Sequence, residues 1–199
     1  MPMNRLKRVV AAISAYPAHP DPRAAIANTV ALVIVSNQPF YPLYLLWAVA
    51  PVVSPSYVTF LSTPLFAAVP AVMRRNSVLG RTLLLVAGIG NTLLCRAAFG
   101  AGSGVEVFLL PCLTLALMLF RRSERVFAFG FTALTFGAYL LPAAWLGAPI
   151  HLYEIDEYAA LQRLNFLSAA SLTALIAWLF AARLDTISRA DETKDVRGA

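Results

Sequence analysis

Six long apolar stretches, separated by short polar or basic breaks, set the pattern of this chain. They run at about 24–50, 54–73, 80–99, 104–120, 125–146 and 159–183. A helix needs roughly 20 predominantly apolar residues to cross the hydrocarbon core of a bilayer. The pattern therefore predicts an all-α, polytopic integral membrane protein with six transmembrane helices. The fourth stretch is short, so the bilayer thins around it or the helix stands upright. The breaks at Arg74-Arg75-Asn76-Ser77, Arg121-Arg122-Ser123-Glu124, Val53-Ser54-Pro55 and Gly100-Ala101-Gly102-Ser103-Gly104 are tight. Short connections predict that sequential helices are antiparallel neighbours. The longest connection is Gly147 to Glu157, where Asp156 is expected to N-cap the last helix and Glu157 to favour its dipole.

Charge sharpens the picture through its placement. Only 13% of residues are charged against 59% hydrophobic, and the spans leave no room for a soluble catalytic domain. If the N-terminus is cytoplasmic, only Arg96 and Arg163 of the 16 Lys and Arg residues fall outside. The positive-inside rule then predicts an N-in, C-in topology. Topology accounts for the net charge of +6, so no nucleic-acid partner is implied. In the basic segment 1–23, Leu6, Val9, Val10 and Ile13 keep helical spacing beside Arg5, Lys7 and Arg8. This reads as an amphipathic helix on the inner leaflet, followed by a stiff turn from Tyr16-Pro17 to Asp21-Pro22. The transmembrane domain is 24–183. Phe180, Leu184 and Ile187 carry an apolar stripe past it, so 184–199 is a charged cytoplasmic tail or the stub of a signalling helix.

The candidate chemistry lies inside the spans. Asn37-Gln38-Pro39-Phe40-Tyr41-Pro42 interrupts the first span near its centre. Each proline removes an N–H and clashes with the carbonyl four residues back, so the carbonyls of Val35 and Gln38 are expected to lose their helical partners. Folding spans one and two about Val53 puts Asn37 opposite Pro70 and Leu43 near Pro64, with Ser62 and Thr63 serving the freed carbonyls. The same depth matching puts Asn91 level with Cys112, Arg96 level with Glu106 and Tyr139 level with Asn165. Polar glue between helices is the default reading of such groups. The alternative is a ligand site at a broken helix, built from Asn37, Gln38, Tyr41 and Asn91, with Arg96 and Glu106 at its outer mouth. Arg96 and Glu106 are equally a structural ion pair clamping one hairpin. Ser168, Ser171 and Ala170–Ala174 read as a close-packing surface on the last helix. Cys95 and Cys112 are offset by about one helical turn and read as unpaired buried thiols. His151, Glu154, Asp156 and Glu157 lack metal-ligand spacing and read as a solvated acidic loop. No metal, haem or other cofactor is implied, and no nucleophile–base arrangement is present.

Asn37 to Tyr44, Ser62-Thr63-Pro64, Asn91-Thr92, Gly104 to Cys112 and Glu157 to Leu161 together resemble the six-helix N-terminal membrane modules of bacterial signalling proteins. Such modules precede adenylate cyclase, diguanylate cyclase or histidine kinase domains. The resemblance covers roughly 20–185 and implies a multi-pass protein of the bacterial inner membrane. No output domain follows within these residues, so the chain is expected to be an excised module or a relative working through a cyclase or kinase partner. The resulting reading is a non-catalytic sensory or regulatory module, expected to be a homo-oligomer such as a dimer, that signals through its last helix. A small transporter with its substrate site at the broken first helix is the alternative.

Overall fold

In the computed structural model, which describes the backbone of residues 16–198 and the side chains of residues 16–183, every regular element is helical. Helix α1 (Pro22–Asn37) starts after Asp21, whose carboxylate accepts from the Arg23 N–H at 3.0 Å. Pro22 fills a first-turn position where its missing N–H is not needed. A 3-10 turn at Gln38–Phe40 leads into α2 (Tyr41–Ala48). The chain then reverses and returns through a 3-10 segment, Ser54–Leu61, into α3 (Thr63–Arg75). Asn76 caps α4 (Ser77–Phe99) by accepting from the Val78 and Leu79 N–H groups. Two further 3-10 turns, Ala101–Ser103 and Val105–Phe108, precede α5 (Leu109–Leu119), followed by α6 (Arg125–Leu140) and α7 (Ile155–Gly198).

Four of the six predicted spans are helices long and apolar enough to cross a membrane: Pro22–Ala48, Ser54–Arg75, Ser77–Phe99 and Ile155–Arg183. The fourth predicted span is the shorter Val105–Leu119. The fifth is a helix of 16 residues that stops at Leu140 instead of reaching 146. Pro142 is the cause: it lacks an N–H and holds Leu141 at an extended ψ of 124°. The amphipathic helix expected before Ala15, and the side chains of Leu184 and Ile187, lie outside the described residues. The turn at 16–22 folds back on α3, with the Tyr16 hydroxyl donating to the Ala67 carbonyl at 3.1 Å and Arg74 donating to the Tyr16 carbonyl at 3.0 Å.

α4 runs through the centre and packs against α1, α3, α5 and α6. The main core gathers Val30, Phe66, Val69, Leu85, Leu115 and Ile176, and a smaller cluster at the glycine-rich end gathers Leu45, Phe99, Val105, Tyr153 and Leu161. The last helix departs from expectation. α7 packs chiefly against α5 and the two turns before it, not as a hairpin partner of α6. The connection after Leu140 is long enough to cross over, and the Ile150 N–H ties it to the Ala98 carbonyl at 2.9 Å. α7 then latches on with three side chains of one face. Tyr158 donates to the Phe99 carbonyl at 3.1 Å, Gln162 to Gly102 at 2.8 Å and Asn165 to Ser103 at 3.0 Å. Gly104 (φ +65°) permits the approach, since a Cβ there would stand 2.9 Å from Gln162 Cγ. The crossover also separates Tyr139, which is exposed, from the fully buried Asn165, so their matched depth brings no contact. The N-cap of α7 is Glu154 instead of Asp156: its N–H donates to Glu157 Oε2 at 2.9 Å and its carbonyl accepts from the Tyr158 N–H.

The opposite, basic end corrects another expectation. Topology alone does not account for Arg81, which is only 1% exposed. Its guanidinium donates to both carboxylate oxygens of Glu124 at 2.8 and 2.9 Å, to the Leu119 carbonyl at 2.7 Å and to its own turn at Ser77. Arg23 donates to the Phe120 carbonyl at 2.6 Å, and Arg121 to Asp21 at 3.0 Å. The orphan carbonyls that end α5 are thus satisfied by cations, which also suit its negative dipole end. Burial raises the Glu124 carboxyl, but hydrogen bonds from Arg81 and the Arg121 N–H, with the two guanidinium charges, outweigh it and hold the group below its ordinary value. Asp21 follows the same logic: burial raises it, and the Arg23 N–H and Arg121 together lower it further.

A carboxyl whose folded pKa is depressed contributes stability that is present above its unfolded pKa and lost as pH falls through the folded value. Thermal midpoints of the detergent-solubilised protein are therefore expected to drop as pH falls below about 4. Glu124→Gln is expected to remove part of that acid dependence and to cost about 1–3 kcal/mol near neutrality, because Arg81 keeps its charge and loses its partner. An unchanged midpoint would contradict the clamp.

Candidate functional site

The double-proline segment does not open the helix. Gln38 donates its N–H to the Ile34 carbonyl, Tyr41 donates its N–H to the Gln38 carbonyl, and Asn37 to Tyr41 keep right-handed helical backbone angles. The predicted break is a 3-10 tightening, in which Pro39 and Pro42 each occupy the first turn of the next element. The Gln38 carbonyl, expected to be freed, has a partner.

Gln38 serves instead as the hub that binds the first two spans. Its Nε2 donates to the Thr59 carbonyl at 3.0 Å and to Ser62 Oγ at 2.8 Å, and its Oε1 accepts from Thr63 Oγ1 at 2.7 Å. The hydroxyls of Ser62 and Thr63 thus meet side-chain amides, and Ser62 also its own turn at Thr59, not the carbonyls of Val35 and Gln38. Depth matching about Val53 erred here because α2 ends at Ala48, so the chain reverses earlier, and because the 3-10 helix Ser54–Leu61 rises about 4 Å further than α-helix would, the length of about two to three residues. Gln38 accordingly meets Thr59 to Thr63, and Asn37 is not set against Pro70. Ser62 Oγ also lies 2.8 Å from Asn91 Oδ1. The Thr59 carbonyl accepts from the Ser62 N–H and from Gln38 Nε2. The Ser62 hydroxyl also points at the Thr59 carbonyl at 2.7 Å, so its single proton is divided between that carbonyl and Asn91 Oδ1. Asn91 Nδ2 has no partner among the described residues.

Beside this hub lies a cavity of about 690 Å³, walled by α1, α2, α4, α5 and α7 with Thr59 and Phe66. Asn37, Gln38, Tyr41 and Asn91 all line it, joined by Tyr44, Thr92, Ser168 and Ser171. Among the described residues, no charged side chain lines it. Ser168 and Ser171 face this space, so they are not the close-packing surface their spacing suggests. Asn37 Oδ1 accepts from the Tyr44 hydroxyl at 3.4 Å, and its Nδ2 has no partner among the described residues. The Tyr41 hydroxyl donates to Asn165 Oδ1 at 3.0 Å, so a wall of the cavity is bonded directly to α7. Asn165 Nδ2 holds the Ser103 carbonyl, and the side chain is fully buried.

Arg96 and Glu106 do not line the cavity. They do form the anticipated ion pair, Nε to Oε1 at 2.8 Å, although the N–H is not aligned for a hydrogen bond. Arg96 Nη1 donates to the Leu141 carbonyl at 2.8 Å. The pair therefore fastens α4 to the turn before α5 and to the end of α6, which is the clamp reading. Cys95 and Cys112 are free and buried. Cys112 Sγ lies against Gly88, about one turn from the level of Asn91. Among the described residues no group of His, Cys, Asp and Glu is arranged to hold a metal, and His151 packs edge-on against the Tyr153 ring.

Comparison with known proteins gives a family match. The model of MASE7, a membrane-associated sensory domain family, matches residues 14–195. No curated protein matches the chain.

The two adjacent amides are expected to behave differently. Gln38→Leu removes three hydrogen bonds and strands Thr63, and is expected to cost about 1–3 kcal/mol in unfolding measurements. Asn37→Leu gives up only one long contact and is expected to fall within about 0.5 kcal/mol of the parent. Equal losses would contradict the assignment of Gln38 as hub and Asn37 as free wall.

Proposed function

We propose that this chain, which belongs to the MASE7 family of membrane-associated sensory domains, detects a small ligand in the central cavity and transmits its presence through α7. The observation that carries this reading is the Tyr41–Asn165 hydrogen bond, which links the cavity wall to a single unbroken 44-residue helix. At 1.5 Å per residue that helix is about 66 Å long, more than twice a hydrocarbon core of about 30 Å. α7 supplies Leu167, Ser168, Ser171, Leu172 and Leu175 to the cavity lining, so its position and the cavity's contents are mechanically joined. A ligand can shift the helix only if it binds two arrangements with different affinity. Tyr41 is a natural discriminator, because its hydroxyl can serve either Asn165 or a bound molecule.

Around this core we place six membrane crossings, with Val105–Leu119 and Arg125–Leu140 as the two short ones, in a bacterial inner membrane. Both termini are cytoplasmic in this reading, following the positive-inside bias. The protein acts as a homo-dimer and passes its signal to a cytoplasmic cyclase or kinase, with no catalysis of its own. The transporter alternative needs an opened first helix, and the helical backbone through Gln38–Tyr41 lends it no support.

The test of signalling uses spin labels on cysteines introduced at Arg75 and Arg183, since Cys95 and Cys112 are buried and label poorly. Ser168→Trp fills the cavity from its α7 wall. A change of about 1–2 Å in the label separation is expected, the scale of helix shifts in switching proteins; no change would contradict transmission through α7. Topology is checked separately in spheroplasts. A cysteine replacing Gly147 is expected to react with an impermeant maleimide, and one replacing Ser123 only after permeabilisation; the reverse pattern would overturn the orientation.

A further inference from the structure

We infer that the cavity is built for an uncharged lipophile with a hydrogen-bond-accepting carbonyl head, drawn sideways from the bilayer through the gap between α1 and α7. The inference rests on the reading of the cavity as a ligand site and adds the chemistry and the route of the ligand. The volume of about 690 Å³ falls inside the range of small-molecule sites, roughly 300–1,000 Å³.

The route follows from exposure. Asn37 and Phe40 on the first span, and Leu167 and Ser171 on α7, line the cavity and are also exposed on the molecular surface. Asn37 and Phe40 lie near the middle of Pro22–Ala48, and Leu167 and Ser171 near the middle of Ile155–Arg183, both helices apolar enough to span a membrane. The mouth therefore opens toward hydrocarbon and not toward either aqueous phase. Molecules that reach it are those already dissolved in the bilayer.

The head group follows from proton accounting. Asn37 Nδ2 and Asn91 Nδ2 are donors with no partner among the described residues, while the two amide oxygens each have a hydroxyl beside them, Tyr44 and Ser62. The hydroxyls of Ser168 and Ser171 line the same space and can donate as well as accept. Two amide NH₂ groups facing the cavity beside hydroxyls that can give or accept are complemented by a carbonyl oxygen with two lone pairs. A carboxylate, sulfate or quaternary amine would be buried here with no counter-charge, at a cost a neutral head avoids. A plain alkane would fill the space and leave the donors unmet.

The test is equilibrium binding to the full chain in nanodiscs, with radiolabelled 2-heptadecanone and decylubiquinone as two carriers of the carbonyl. Unlabelled hexadecane, hexadecyl sulfate and hexadecyltrimethylammonium compete below micelle formation. At least one carbonyl carrier is expected to bind, and hexadecane and both ions to compete at least about 5-fold more weakly. Asn91→Leu and Asn37→Leu are each expected to weaken carbonyl binding about 3–10-fold, and Ser171→Trp to abolish it by closing the mouth. Asn37→Leu keeps the experiment decisive if Asn91→Leu fails to fold. Equal binding of hexadecane, tighter binding of either ion, no binding of both carbonyl carriers, or indifference to the asparagine variants would overturn the inference. The α7 spin-label separation, read in the same samples, distinguishes the two levels: movement with the ionic probes rejects only the ligand class, whereas carbonyl binding without movement rejects only the sensory reading.

Discussion

Asn165 is buried on every side, and its two polar atoms each have one partner: Tyr41 on the second helical segment and the Ser103 carbonyl in the turn before α5. An amide stranded in apolar surroundings costs about 1–3 kcal/mol. The last helix therefore cannot slide or rotate at this level without giving up one bond or finding a substitute. That constraint sets the register of α7 against the bundle. It also makes the cavity wall and the longest helix parts of one hydrogen-bonded unit.

The two ends of the molecule are held by different physics. At the basic end Arg81, Arg23 and Arg121 cap the C-terminal carbonyls of α5 and reach Glu124 and Asp21, so α1, α4, α5 and the start of α6 form one charge-clamped frame. Arg96 adds a second clamp between α4 and the end of α6. α7 takes no part in either. It is fastened near its own start, by Tyr158, Gln162 and Asn165, and then runs beside the cavity toward the basic end. α7 is thus hydrogen-bonded near its start, buries Ile176 in the main core farther along, and borders the cavity between the two, so the cavity-lining stretch is where its packing is least filled.

Much of this was legible in the residues. The helical class, the apolar spans and the Arg96–Glu106 pair follow from run lengths, charge placement and a five-residue turn. Four of the six candidate site residues, Asn37, Gln38, Tyr41 and Asn91, share one cavity because amides and tyrosines at similar depth had few other places to go. What depth matching missed has a common cause, the departure of the chain from uniform α-helical rise and simple hairpins. The reversal directly after Ala48 and the 3-10 segment Ser54–Leu61 together shifted the partners of Gln38 toward Thr63. The long crossover before α7 replaced a Tyr139 neighbour with Tyr41 and Ser103 for Asn165. Arg81 falls among the residues that the charge bias assigns to the inside, yet Glu124, the lone acid in a run of arginines, signals that one of the basic residues is paired.

The central claim is that cavity occupancy reaches α7 through the Tyr41–Asn165 bond. The most direct measurement is the Arg75-to-Arg183 label separation in a cycle of Tyr41→Phe and Ser168→Trp. Tyr41→Phe removes the hydroxyl and keeps the ring. The account predicts that filling the cavity moves α7 in the parent and moves it less than half as far once Tyr41 is Phe. Equal movement in both backgrounds would contradict it, and would assign the coupling to direct packing against α7 alone.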